Sequence, residues 1–205
     1  MIIHEIAQGD NEWLKLRLGK LTASDFHTLM GKSQTKETIL YKKAAERLTG
    51  VASDGDRFTS IHTERGHELE PEARMAYELE KGGDVLEVGF VELNEFVGCS
   101  PDGLVNADGG VEIKCMDNHG FLKAVTKSYI NPIHKTQMQY CMYVCGRSWW
   151  DYALYNPNFP NPLHVMKVMR DDEYITDIQT HIKECNEKIE SHIKIFEGFT
   201  TGTNR

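Results

Sequence analysis

A chain of 205 residues is long enough for one domain, and 40% hydrophobic with 26% charged residues and six prolines excludes a largely disordered polymer. Five cysteines with no CxxC pair disfavour both a disulfide framework and a zinc or iron–sulfur site, and the absence of any apolar run near 18–20 residues or of a secretion-type N-terminus points to a cytoplasmic protein without a membrane span. The net charge of −8 at first opposes a nucleic-acid partner, yet residues 51–100 carry 12 acidic against 4 basic side chains while residues 1–50 carry 8 basic against 6 acidic, so an acidic outer surface can coexist with a basic cleft.

In chain order, a short helix starts at Asp10 or Asn11, and a second follows the hydroxyl-rich Leu21-Thr22-Ala23-Ser24 and runs to about Met30. That second N-terminus beside Arg17 is either a plausible anion site or an ordinary cap with a surface arginine. Residues 38–48 read as a helix with Ile39, Leu40, Ala44, Ala45 and Leu48 inward. Its outer face of Lys42, Lys43 and Arg47 is either solvated or turned toward DNA. After a polar loop, residues 61–81 form an acidic helix with Leu69, Ala73, Ala76 and Tyr77 as its apolar stripe. Glu70 lies on the edge of that stripe and needs a partner, either Arg74 at i+4 or a metal.

Residues 85–93 and 96–100 read as consecutive strands joined at Asn94-Glu95. The next stretch, SPDGLVNADGGVEIKC at 100–115, concentrates the chemistry. A turn at about 106–110 returns the chain so that Asp102 can approach Glu112. On the returning strand Glu112 and Lys114 share one face, and Val111, Ile113 and Cys115 share the other. Two carboxylates and an ammonium at one spot suit a hard cation such as magnesium, with the lysine orienting water or stabilising negative charge. The same spacing also fits a solvent-exposed hairpin with an ordinary salt bridge.

Two helices follow at 118–127 and 132–145; in the second, Ile133, Met138, Cys141, Met142 and Cys145 can line one face with Gln137 at its border, as a structural hydrogen-bonder or a functional one. Residues 148–155 and 163–169 are strands around a proline-rich connection. A long amphipathic helix capped by Asp171 or Asp172 closes the chain to about Phe196, before a polar tail from about 199.

This order of elements, with Pro101-Asp102 followed by Glu112-Ile113-Lys114, resembles the PD-(D/E)xK nuclease core, an α/β (α+β) fold with a central mixed sheet flanked by helices. More closely, the chain resembles the phage lambda exonuclease and YqaJ-type viral recombinase family. The similarity is carried by QGDNEWLKLRLGKLTAS at 8–24, RGHELEPEAR at 65–74, CSPDG at 99–103, VEIKC at 111–115, QMQY at 137–140 and LHVMKVMRDDEY at 163–174.

The resemblance implies a single exonuclease domain over 1–205. It implies that Asp102, Glu112 and the Ile113 carbonyl hold Mg²⁺ (or Mn²⁺), with Glu70 completing a second ion's position. Lys114 is implied to position or help deprotonate the attacking water, Gln137 to orient the water or a phosphate oxygen, and Gln139 to be a weaker candidate for that task. Arg17, Thr22, Ser24 and Ser100 are implied to receive a terminal 5′ phosphate. The family further implies a homotrimeric ring on linear double-stranded DNA, ATP-independent 5′-to-3′ digestion of one strand, and a single-strand annealing recombinase as partner. Residues 32–63 do not match and would supply the strand-splitting wedge. An endonuclease on the same core, and a DNA-end-binding or partner-docking domain with a decayed site, are the competing readings; absent cluster spacing in the cysteines sets aside a Cas4-like nuclease.

Overall fold

Two sheets, not one continuous meander, organise the chain in the computed structural model, which describes residues 1–53, 61–83 and 85–200, with the side chains of all but 61–67 and 200. The smaller sheet has the order β1 (Ile2–His4), β3 (Phe90–Asn94), β4 (Val97–Cys99) and is antiparallel. The larger is mixed, in the order β2 (Val85–Leu86), β5 (Gly103–Val105), β6 (Gly109–Cys115), β7 (Trp149–Tyr155), β8 (Leu163–Met169). Only β6 and β7 are parallel within it. Parallel neighbours need a crossover, and α5 (Asn118–Lys127) with α6 (Pro132–Cys145) supplies it.

The helix α6 is the inner one. It contacts α2 (Ala23–Met30), α7 (Asp172–Thr200) and both sheets, and Met138, Tyr140, Cys141, Met142 and Val144 are buried on it. Each large apolar side chain so buried contributes about 1.5–3 kcal/mol. The opposite face of the larger sheet is covered by α4 (Ile61–Lys81), whose Ala73 and Tyr77 pack with Val85, Val105, Val111, Ile113, Ala153 and Tyr155 in a second core. The apolar face expected of β6 is therefore found against α4, and Glu112 points to the other side.

Several expectations need correction. The run 85–93 is not one strand: Val85–Leu86 pairs with β5, whereas Phe90–Asn94 pairs with β1 and β4. The break falls at Gly89, where a Cβ would come within 2.2 Å of the Ile6 carbonyl, so only a glycine lets the chain pass there. The helix α3 (Gln34–Thr49) begins four residues earlier than periodicity suggests, because the Ser33 side chain caps it at Lys36 N. Leu48 and Ile133, expected inward, are exposed, and Tyr140 and Val144 take the inner positions of α6. Arg47 turns in rather than toward solvent or DNA. Its guanidinium reaches Gly19 O at 2.8 Å and Asn186 Oδ1 at 2.7 Å and stacks on Phe96. At the C-terminal end Asp171 accepts from Tyr174 N, and α7 continues to Thr200, beyond Phe196. The tail from 201 and part of the region assigned to a wedge, 54–60, lie outside the described residues.

Candidate active site

The antiparallel register of β5 and β6 pairs Gly103 with Val111, which brings the preceding Asp102 to the middle of β6. Its Oδ2 accepts from Ile113 N at 2.7 Å, fixing the carboxylate against the strand that carries Glu112 and Lys114. Gln8 donates to the Pro101 carbonyl at 3.0 Å and to the Val88 carbonyl at 3.2 Å, so the PD step is held from the N-terminal side as well. Arg74 of α4 clamps the other side, donating to the Asp102 carbonyl and, at 2.9 Å, to Glu70 Oε1. Asp102, Glu112 and Lys114 are thus gathered at the central strand of the larger sheet, with Glu70 beside them on α4, where Arg74 is one of its partners.

Glu112 is fully buried; Lys114 donates to its Oε1 in a close ion contact, and no other donor among the described residues reaches the carboxylate. Burial pushes the Glu112 carboxyl up, to about 8, with Lys114 pulling it down and Asp102 and Glu70 adding repulsion. Burial works against the Lys114 ammonium, but attraction to Glu112 and Asp102 outweighs it and holds the group above its ordinary range. A buried acid met by one lysine and repelled by two nearby acids is a costly arrangement that a bound cation would relieve. Asp102, Glu112 and the Ile113 carbonyl are all oxygen donors, as Mg²⁺ prefers. Among the described residues no three His, Cys, Asp or Glu side chains form a ready-made cage, so water would have to complete the shell. Glu70 would have to leave Arg74 to join.

On the other flank, α6 presents Gln137 half-buried and His134 one turn before it. His134 Nδ1 lies 2.5 Å from the Tyr152 hydroxyl, and Tyr152 is the β7 residue paired with Glu112. Burial, then Lys114, pushes the His134 imidazole down to about 4, and burial raises the Tyr152 phenol against the pull of Lys114. Gln139 points elsewhere: it donates to Met169 O at 2.8 Å and accepts from Asp171 N at 3.0 Å, which makes it a structural bridge.

A cleft of about 310 Å³ opens between α1 (Asn11–Arg17), α2 and α3, lined by Trp13, Arg17, Ser24, Asp25, Lys42 and Lys43 among others. Arg17 donates to Ser100 Oγ at 3.2 Å and stacks 4.3 Å above Trp13. Trp13 Nε1 donates to the same Ser100 Oγ at 2.8 Å, linking this cleft to the strand end before Asp102. Arg17, Ser24 and Ser100 are therefore brought together. Thr22 is buried, its hydroxyl 3.3 Å from both Ser24 Oγ and Asp25 Oδ2 rather than capping α2, so it supports Ser24 from behind.

Sequence reasoning missed His134, Tyr152, Gln8 and Trp13. The i, i+3 spacing of His134 and Gln137 was a usable signal; the Tyr152–Glu112 adjacency depends on a parallel pairing that local pattern does not reveal.

The family model of the YqaJ-like viral recombinase domain matches residues 12–148. The alkaline exonuclease LHK-Exo from Laribacter hongkongensis is similar at 31% identity and a TM-score of 0.87, over 95% of this chain and 100% of its own, both by itself and in complex with dAMP. A phage-related exonuclease from Haemophilus somnus 129PT shares the fold at 17% identity and a TM-score of 0.64, over 86% of this chain and 96% of its own. No curated protein matches the chain.

Proposed function

Because the chain belongs to the YqaJ-like viral recombinase domain family, we propose that it is a Mg²⁺-dependent, ATP-independent exonuclease that digests one strand of linear double-stranded DNA from its 5′ end, leaving 3′ overhangs for phage-type recombination. The observation that carries this reading is the buried Glu112 carboxylate, met among the described residues by Lys114 as its one donor and flanked by the locked Asp102. Asp102, Glu112 and the Ile113 carbonyl would hold the ion, with Glu70 available to a second one after release from Arg74. When bound, Mg²⁺ supplies charge neutralisation at the scissile phosphate and a more acidic water.

The remaining tasks fall to the side chains. Lys114, held protonated, donates to the water or to a phosphate oxygen and so orients attack, rather than serving as a base. Gln137 orients the same groups from α6. Arg17, with Ser24 and Ser100, takes the terminal 5′ phosphate; Lys42 and Lys43 line that cleft too, with Lys43 paired to Glu46 at 3.2 Å. The acidic Asp25 at its wall limits that attraction, which favours a terminal phosphate bound by directed hydrogen bonds over general backbone affinity. A homotrimeric ring and an annealing recombinase as partner belong to the same reading. The alkaline exonuclease and the phage-related exonuclease named above support it as relatives in fold.

Linear and covalently closed duplexes offered with Mg²⁺ or with EDTA test the reading, with 5′-phosphate and 5′-hydroxyl versions of the linear one. Only linear DNA with Mg²⁺ should be degraded, with a 5′ label released first and faster from phosphorylated ends. Arg17→Ala should remove that preference by about tenfold, the worth of one charge-assisted hydrogen bond. Cutting of closed circles refutes the exonuclease; digestion in EDTA refutes the metal.

A further inference from the structure

The His134–Tyr152 pair has no part in the roles given so far. Tyr152 is 1% exposed, and a buried phenol needs an acceptor; His134 Nδ1, at 2.5 Å, is the one beside its hydroxyl. Tyr152 stands next to Glu112 across the parallel strands, and Lys114 is close enough to act electrostatically on both Tyr152 and His134. A second cation beside Lys114 would be repelled, so the imidazole there is neutral. If Nδ1 accepts from Tyr152, the ring proton sits on Nε2. His134 is only half-buried, and it lies one turn before Gln137 on the same face of α6, so two neutral donors stand in a row there, His134 being the one that Lys114 acts on.

We propose that Tyr152 fixes His134 as the tautomer protonated at Nε2, and that His134 then donates a hydrogen bond to one non-bridging oxygen of the phosphodiester cut beside Lys114. This rests on the nuclease reading. His134 is a substrate-touching residue in this scheme, and Tyr152 a positioning residue that acts through it. A neutral donor holds the phosphate without adding charge to a site already containing a lysine and, when loaded, a divalent ion.

Two measurements separate the parts. In the protein without DNA, nitrogen-15 NMR of the histidine rings, with the His134 signal assigned from His134→Gln, should show the Nε2-protonated form, and Tyr152→Phe should convert it to a mixture. A ring protonated at Nδ1, or a tautomer indifferent to Tyr152→Phe, overturns the proposal whatever the protein does to DNA. The second measurement uses linear duplexes whose terminal linkage carries sulfur at one or the other non-bridging oxygen. For wild type, sulfur at the oxygen facing His134 should slow cleavage by about tenfold, the value of one such hydrogen bond. His134→Ala should slow the all-oxygen substrate similarly, lose the penalty for that isomer alone, and be rescued by His134→Gln, which returns an N–H near the Nε2 position. Equal sulfur penalties for both isomers in wild type and His134→Ala remove the contact. A wild-type protein with the Nε2 tautomer that cuts no DNA refutes the nuclease and the donor's role with it.

Discussion

Glu112 and Asp151 lie on neighbouring strands of one sheet, both shut off from solvent, and their surroundings differ in a way that separates structure from chemistry. The register pairs Val111 with Asp151 and Glu112 with Tyr152, so the two acids point to opposite faces. Asp151 faces α4, where the Tyr77 hydroxyl donates to it at 2.8 Å and the ammonium groups of Lys167 and Lys81 stand at 3.8 and 3.9 Å. It anchors a helix. Glu112 has, among the described residues, one lysine as its single donor, and two further acids, Asp102 and Glu70, close enough to repel it. Fold stability gains little from such a group, which is what favours the proposal that Glu112 holds a cation.

The comparison breaks most visibly on substitution. Glu112→Gln should lower cleavage by more than about a hundredfold, since even partners outside a metal's ligands cost 10–100-fold when lost, while melting without metal stays equal or rises. Asp151→Ala should do the reverse: stability falls by about 3 kcal/mol because Tyr77 is left buried without its acceptor, and cleavage below the melting point persists. Thermal melts and single-turnover assays on the two variants decide it, and a Glu112→Gln protein that unfolds or keeps cutting would erase the distinction.

The pH dependence sharpens the same contrast. A carboxyl whose folded value, about 8, lies above its unfolded one stabilises the fold fully at pH below the unfolded value, about 4.3, and loses that contribution as pH rises through 8. Metal-free wild type should therefore lose stability relative to Glu112→Gln across pH 4.3–8. Mg²⁺, which takes the ionised form, should reverse the loss at the upper end. Parallel melting curves for the two proteins across that window would show that Glu112 is not the strained acid.

How much of this was legible depended on the range of the interaction. Alternation along 111–115 correctly separated Glu112 and Lys114 from Val111, Ile113 and Cys115, because a strand's side-chain period is a local property. The turn chemistry of Asn106, which takes a positive φ of 51°, likewise returned Asp102 to the strand. The run 85–93 was misread because the same apolar composition feeds two sheets, and only the passage of Gly89 beneath Ile6 tells them apart. Arg47 failed for a similar reason: its Gly19 and Asn186 partners are 28 and 139 residues away, beyond any helical pattern. Tyr152 entered the site only through strand pairing after a two-helix crossover. Local period placed the acids and the lysine, and tertiary pairing placed the residues around them.

The smallest expected effects come from two glutamines two residues apart on α6, which repeat the contrast at lower stakes. Gln139 is buried and bridges Met169 O and Asp171 N, tying α6 to the corner between β8 and α7. Gln137 is half-buried and has no hydrogen-bond partner among the described residues, on the flank that holds His134. Removing Gln139 exposes two backbone groups to an apolar cavity, so Gln139→Ala should cost about 1–3 kcal/mol and leave cleavage intact below the melting point. Removing Gln137 deletes a side chain bonded to no other described residue, so Gln137→Ala should melt with wild type and, on the proposed role of orienting the attacking water, cut about tenfold more slowly. Melting curves paired with single-turnover rates separate the two. A loss of stability in Gln137→Ala equal to that in Gln139→Ala would mean that α6 carries only structural glutamines, and that the orientation of the attacking water falls to Lys114 alone.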